Sequence, residues 1–200
     1  MYDALSIEFS PEQLEIAKAR DRFPVVGGGE RGGKTFVVSS IATPHIVLMP
    51  KLVRHKFFDE EGKPLRNLNE TKPRNPDVII FGPTYREPRW EFEEIERQLR
   101  TLGLIADGVN KPSKPQDGPW RMVTTDGVVI ATWSMEDPGS IRAADPEFAI
   151  VAEAGKCPYD GITRVMGRVS GTRGFVMFSG TMELSEQWYQ EWMVIGQRLN

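Results

Sequence analysis

Gly28-Gly29-Glu30-Arg31-Gly32-Gly33-Lys34-Thr35 decides how this chain is read, because it meets the spacing G-x-x-x-x-G-K-T in full. Before it, Phe23-Pro24-Val25-Val26-Gly27 reads as a short buried strand; after it, Phe36-Val37-Val38 opens an apolar helix. Between a strand and a helix, a glycine-rich loop is a phosphate cradle. Gly28, Gly32 and Gly33 permit positive φ and close approach, while the loop N–H groups and the helix N-terminus converge on an anion. Lys34 adds a positive charge for β- and γ-phosphates, and the Thr35 hydroxyl is placed to ligate Mg²⁺. The alternative, a glycine-rich turn with a chance Lys-Thr after it, is disfavoured by the strand before and the helix after.

A chain of 200 residues predicts one domain over 1–200, long enough to bury its own core. A net charge of -3 gives no overall electrostatic case for nucleic acid, so any such contact must come from a local patch or a ring of subunits. The single cysteine, Cys157, excludes an internal disulfide framework and fits a reducing compartment. No apolar run reaches the roughly 20 residues that span a bilayer. Met1-Tyr2-Asp3-Ala4 lacks the features of a signal peptide, so the expected location is cytoplasmic.

Ser10-Pro11-Glu12-Gln13 signals a helix start, with Ser10 as cap, Pro11 in the first turn and Gln13 as capping-box partner. Gln13 has a second reading, since an amide just ahead of such a loop can read an adenine edge while Phe9 packs on the base; spacing alone does not separate the two. Residues 36–49 should form the helix that packs on the sheet, with Pro44 bending or ending it. Residues 50–76 are basic and broken by proline and glycine. They read as a surface insertion with room for a small hairpin, more often a solvated loop than a DNA contact.

Asp77 to Gly82 has the continuous apolar character of a strand buried on both faces. A helix should follow over 87–102, with Trp90, Ile95, Leu99 and Leu102 near helical spacing. Thr125-Asp126-Gly127 signals a hairpin between strands at 120–124 and 128–133. Phe148 to Ala154 is an apolar strand ending in Glu153, and a carboxylate there can orient and polarise the water that attacks a γ-phosphate. An aspartate usually precedes that glutamate and helps hold Mg²⁺; here the position is Ala152, which leaves Thr35, the phosphates, water and another acid such as Asp145 to hold the metal. A helix or turn-rich segment at 159–169, a strand at 174–178 and a helix at 186–199 complete the pattern. Between the last two, Ser179-Gly180-Thr181 falls in the crevice where open α/β sheets bind ligands, where its hydroxyls can sense a γ-phosphate. On its own it reads as a tight turn. Trp188, Tyr189 and Trp192 read as core or interface.

With these segments in order, the chain resembles the N-terminal ATPase domain of the large terminase subunit, the motor that packages DNA into tailed-phage and related capsids. The resemblance rests on Phe9 to Gln13, the Arg-containing loop Gly-Glu-Arg-Gly-Gly-Lys-Thr, Phe-Gly-Pro-Thr-Tyr at 81–85, Ser140-Ile141-Arg142, the Glu153 strand and Phe178-Ser179-Gly180-Thr181. It implies an α/β P-loop NTPase of RecA-like type, with a mainly parallel sheet flanked by helices. It implies adenine recognition by Gln13, phosphate binding by residues 28–35 (Gly28, Gly29, Glu30, Arg31, Gly32, Gly33, Lys34 and Thr35), Mg²⁺ on Thr35, a catalytic Glu153, and coupling through Ser179, Gly180 and Thr181. Arg31 can neutralise transition-state charge from within the loop. Arg142 matches a position proposed in some relatives to reach a neighbouring subunit's site, and reads equally as a surface arginine. The implied partners are double-stranded DNA, the portal of the procapsid, the small terminase subunit and further copies in a ring, an isolated domain being able to stay monomeric. The implied location is the cytoplasm of the infected host cell. The family's C-terminal nuclease domain has no room in this chain, so no nuclease activity is expected.

Two other classes of function remain open on the sequence. One is a helicase-like or small-molecule-phosphorylating P-loop enzyme, disfavoured as a kinase because no arginine-rich lid is evident. The other is a nucleotide-binding switch or assembly module without turnover, kept open by Ala152.

Overall fold

The computed structural model describes residues 1–19, 21–29, 31–65, 75–105, 111–136, 141, 145–183 and 185–199. Its strands are β1 (Val25–Gly27), β2 (Val78–Gly82), β3 (Arg121–Val123), β4 (Val129–Ser134), β5 (Phe148–Val151) and β6 (Phe175–Gly180). Its helices are α1 (Pro11–Lys18), α2 (Lys34–Leu52), α3 (Arg89–Thr101), α4 (Tyr159–Gly171) and α5 (Gln187–Leu199). The strands form one six-stranded sheet in the order β1-β6-β5-β2-β4-β3. Every neighbouring pair is parallel except β3 with β4, which is the hairpin expected around Asp126-Gly127, where Gly127 takes φ 84°. The expected α/β class with a mainly parallel sheet flanked by helices is therefore the one observed.

Alternation along the strands divides the core into two layers. Val78 and Ile80 of β2, with Ile150 of β5 and Met177 of β6, pack under Val38, Ala42 and Ile46 of α2 and Phe92, Ile95 and Leu99 of α3. Ile79, Phe81, Val151 and Phe178 point the other way, onto Ile162, Val165 and Val169 of α4 and Tyr189 of α5. All five residues of β2 are buried, as an apolar run between two helical layers requires.

Two local expectations are corrected. Pro44 does not end α2, which runs through both Pro44 and Pro50 to Leu52. Pro44 offers no N–H to the Ser40 carbonyl, but Val37, Val38, Ala42, Ile46 and Met49 are all buried around it, so packing outweighs the lost bond. In α3 the inward aromatic is Phe92, fully buried, while Trp90 stands 68% exposed. Trp90 is apolar enough to read as core, yet 92, 95 and 99 carry the helical stripe.

Among the described residues α2 also has the length and mean hydropathy, 1.2, of a spanning helix, but half of it is buried between the sheet and α3. It is a core helix. Within 50–76, Phe57 is buried in the core and Phe58 bridges Pro64 in an antiparallel turn; residues 66–74 lie outside the described set.

Candidate active site

Parallel strands deliver their C-terminal ends to one edge of the sheet, and three of the motifs lie there. β6 sits between β1 and β5, with Val26 paired to Ser179 and Gly27 to Gly180 on one side, and Val151 paired to Phe178 on the other. Ser179-Gly180-Thr181 is thus the element between the glycine-rich loop and Glu153. A cleft of about 990 Å³ opens at this edge, lined by Arg31, Gly32, Gly33, Lys34, Thr35, Phe36, Glu153, Ser179 and Thr181, together with Trp90, Glu93, Glu94, Arg97 and Lys156. Gly28 and Gly29 adjoin it through Lys34, whose ammonium donates to the Gly28 carbonyl at 3.2 Å and the Gly29 carbonyl at 2.8 Å. Glu30 and Arg142, with Ser140, lie outside the described residues.

The loop takes its shape from fewer glycines than the sequence suggested. Positive φ falls at Gly33 (73°) and at Arg31 (58°), not at Gly28 or Gly32. Gly32 is needed for space instead, because a Cβ there would lie 3.1 Å from the Gly29 carbonyl oxygen. Gly33 is the N-cap of α2 and makes no side-chain capping bond, so among the described residues the first-turn N–H groups face the cleft end of the helix uncapped. That leaves an N-terminal dipole for an anion.

Gln13 closes the capping box: its Oε1 accepts from the Ser10 N–H at 2.9 Å, and its own N–H donates to Ser10 Oγ at 3.3 Å. Its Nε2 lies 2.9 Å from where a Cβ on Gly33 would be. The amide therefore keeps a donor against the loop while its acceptor caps α1. Phe9 packs edge-on between Tyr2 and Phe36, with ring centroids 5.3 Å and 6.1 Å apart.

Glu153 follows β5 in the left-handed region, at φ 48° and ψ 43°, and starts the 3-10 turn Ala154–Lys156. A non-glycine residue there is strained by about 1–2 kcal/mol, and such strain clusters at functional positions. Lys156 Nζ lies 3.2 Å from Glu153 Oε2. The turn is backed by β6 and the start of α5: a Cβ on Gly180 would lie 3.2 Å from the Gly155 nitrogen, 3.3 Å from the Ala154 nitrogen and 3.2 Å from the Tyr189 hydroxyl oxygen. Glycine at 180 is what lets β6 approach the Glu153 turn so closely.

Asp145 is not near this cleft. It precedes β5 whereas Glu153 follows it, so the two acids are at opposite ends of the strand, and Asp145 pairs with Arg168 at 3.2 Å. The acid that does reach the loop is one the sequence reading missed, Glu91. In the first turn of α3, 4% exposed, it accepts a hydrogen bond from the Thr35 hydroxyl to Oε1 at 3.0 Å. Its Oε2 is buried with no hydrogen-bond partner among the described residues. Burial pushes its carboxyl up to about 7 against hydrogen bonding from its own backbone N–H and from Thr35, with the Glu153 charge adding to the rise and Lys34 opposing it. Gly82 sets its position, because a Cβ there would lie 2.5 Å from Pro88 Cδ, one residue before α3 begins. The Thr35 hydroxyl lines the cleft and the Glu91 carboxylate stands behind it, oxygen donors of the kind Mg²⁺ prefers. The residues fit the cation that the loop motif implies.

No protein-family model matches the sequence, and no curated protein matches it. Solved structures do match the fold. The Thermus phage P74-26 large terminase ATPase domain superposes with a TM-score of 0.61 at 17% identity, over 95% of this chain and 71% of that one. The large terminase of a second, thermophilic bacteriophage gives 0.55 at 17% in its complex with ADP, and 0.53 at 15% in its complex with ATP-gamma-S; each covers 86% of this chain. This chain spans 39% of that second large terminase in the ADP complex. Its fold is that of the ATPase domain of phage large terminases.

Proposed function

We propose that this chain hydrolyses ATP with Mg²⁺ as the motor domain of a phage large terminase, driving double-stranded DNA into a procapsid. The observation that carries the reading is the cleft itself: Lys34, Thr35, Glu153, Ser179 and Thr181 line one continuous space at the C-terminal edge of a sheet with that fold. The uncapped start of α2 and the Lys34 ammonium receive the β- and γ-phosphates. Arg31 and Lys34 offset the negative charge that develops on the transferring group. Magnesium, when bound at Thr35, neutralises phosphate charge and favours the leaving group. Glu153 orients the attacking water and takes its proton as the water oxygen bonds the γ-phosphorus and the bond to the β–γ bridging oxygen breaks, with ADP as the leaving group. Gln13 contributes its Nε2 donor to the adenine edge, with Phe9 and Phe36 beside it.

Ser179 and Thr181 report the state of the γ-phosphate, and the contact of Gly180 with the Glu153 turn carries the change to α5. In the working motor, copies of the domain form a ring on the portal in the host cytoplasm, fed by the small terminase subunit, and Arg142 of each copy serves its neighbour's site. Ala152 favours one second reading: with a fully buried methyl where an acid is usual, the domain is a nucleotide-binding switch without turnover. The experiment is phosphate release against protein concentration, with and without duplex DNA. A specific rate that climbs with either supports the motor; a rate that neither changes contradicts the coupling.

A further inference from the structure

The Thr35 hydroxyl has one proton, and it goes to Glu91. Its lone pairs are thereby turned away from α3 and left free to meet a cation. Glu91 has a second oxygen, Oε2, that is buried and has no hydrogen-bond partner among the described residues. A buried carboxylate oxygen with no partner is costly, and an ion or water held beside it is one explanation. At the end of β5, the usual place for a metal-holding acid, the Ala152 side chain is fully buried and offers no ligand atom.

We propose that Glu91 supplies the acidic arm of the magnesium site from α3, replacing the acid that Ala152 lacks. It acts through two atoms. Oε1 holds the Thr35 hydroxyl with its lone pairs toward the cation, and Oε2 accepts from water on the cation. This rests on reading the cleft as a magnesium-nucleotide site. Glu91 is a positioning residue rather than a catalytic one, since it reaches the reacting phosphate only through Thr35 and water. Its placement follows from packing: Pro88 against Gly82 fixes the start of α3, and Ser39 Oγ of α2 lies 3.5 Å from the Glu91 carbonyl oxygen.

The test uses Mn²⁺ as a spectroscopic stand-in for Mg²⁺ and a non-hydrolysable imido analogue of ATP, with the intact chain. Glu91→Gln keeps the acceptor for Thr35 and the size of the side chain. It is expected to bind the analogue in EDTA as the unmodified chain does, within about twofold, while Mn²⁺ affinity of the nucleotide complex, read by electron paramagnetic resonance, drops about 10–100-fold. Glu96→Gln is the control, a buried acid of the same helix paired instead with Arg100 and Lys114. It should leave Mn²⁺ affinity unchanged. An unchanged Mn²⁺ affinity in Glu91→Gln, or an equal drop in Glu96→Gln, overturns the proposal. If the unmodified chain binds no analogue with or without metal, the nucleotide-site reading fails as well, and the two failures are told apart by the EDTA measurement.

Discussion

The Thr35 hydroxyl donates to the Glu91 carboxylate across 3.0 Å and so ties the first turn of α2 to the first turn of α3. Both helices begin at the C-terminal edge of the sheet. The bond brings an acid from the second strand-helix unit to the loop of the first, at a point where β5 ends in alanine.

Glu91 should make stability fall with rising pH. Its folded carboxyl titrates at about 7 and its unfolded one at 4.5, so between these values the folded chain holds a proton that the unfolded chain has lost. Stability from this group is full below 4.5 and is lost as pH rises through about 7, a change of about 3 kcal/mol at 1.36 kcal/mol per unit. Glu91→Gln removes the dependence. Denaturant unfolding at about pH 8 should show the variant more stable than the unmodified chain by about 1–3 kcal/mol, and equal to it near pH 4.5. A variant less stable at pH 8 would mean that Glu91 has a buried positive partner.

Glu153→Gly should separate backbone strain from chemistry. Glycine takes φ 48° freely, so the variant is expected to gain about 1 kcal/mol in thermal or denaturant unfolding while phosphate release disappears. Lower stability would show that the 3.2 Å contact with Lys156 outweighs the strain.

How much of this was legible in the sequence depends on whether the signal was local. The loop, the strand ending at Gly82, the apolar runs 148–151 and 175–178 and the Asp126-Gly127 hairpin are written in short runs whose glycine content or apolar continuity fixes one local structure, whereas β5 stops at Val151 rather than at Glu153 and β6 runs on through Ser179 and Gly180. Glu91 was not legible, because with Trp90 read as part of the apolar stripe a neighbouring glutamate carries no local sign of burial. Only the rotation of α3, set by Phe92, Ile95 and Leu99 in the core, turns Glu91 inward and leaves Trp90 out. Lys156 was missed for a related reason: it reaches Glu153 only because the chain turns sharply after β5. The Asp145 alternative failed on strand direction, since an acid before a parallel strand lies at the edge opposite the cleft. Of the two readings of Pro44, bending or ending α2, the ending fails because helix propensity is a weak prior beside the burial of a long apolar helix.

Gly180→Ala tests the contact between β6 and the Glu153 turn. The added methyl would meet two backbone nitrogens and the Tyr189 hydroxyl at 3.2–3.3 Å, so the turn must yield by a few tenths of an ångström. Nucleotide affinity should be kept within about twofold while phosphate release falls about tenfold or more, because misplacement near 1 Å costs about a hundredfold. Equal losses in both would place the damage at the phosphate loop instead.

The most direct measurement of the central claim is magnesium-dependent phosphate release by the unmodified chain, Lys34→Ala and Glu153→Gln, each with ATP binding measured in parallel. Lys34→Ala should lose both binding and turnover, and Glu153→Gln should bind ATP while its turnover falls about 10²–10⁴-fold. Turnover in Glu153→Gln equal to that of the unmodified chain, or an unmodified chain that binds ATP and releases no phosphate at any concentration, would contradict the claim.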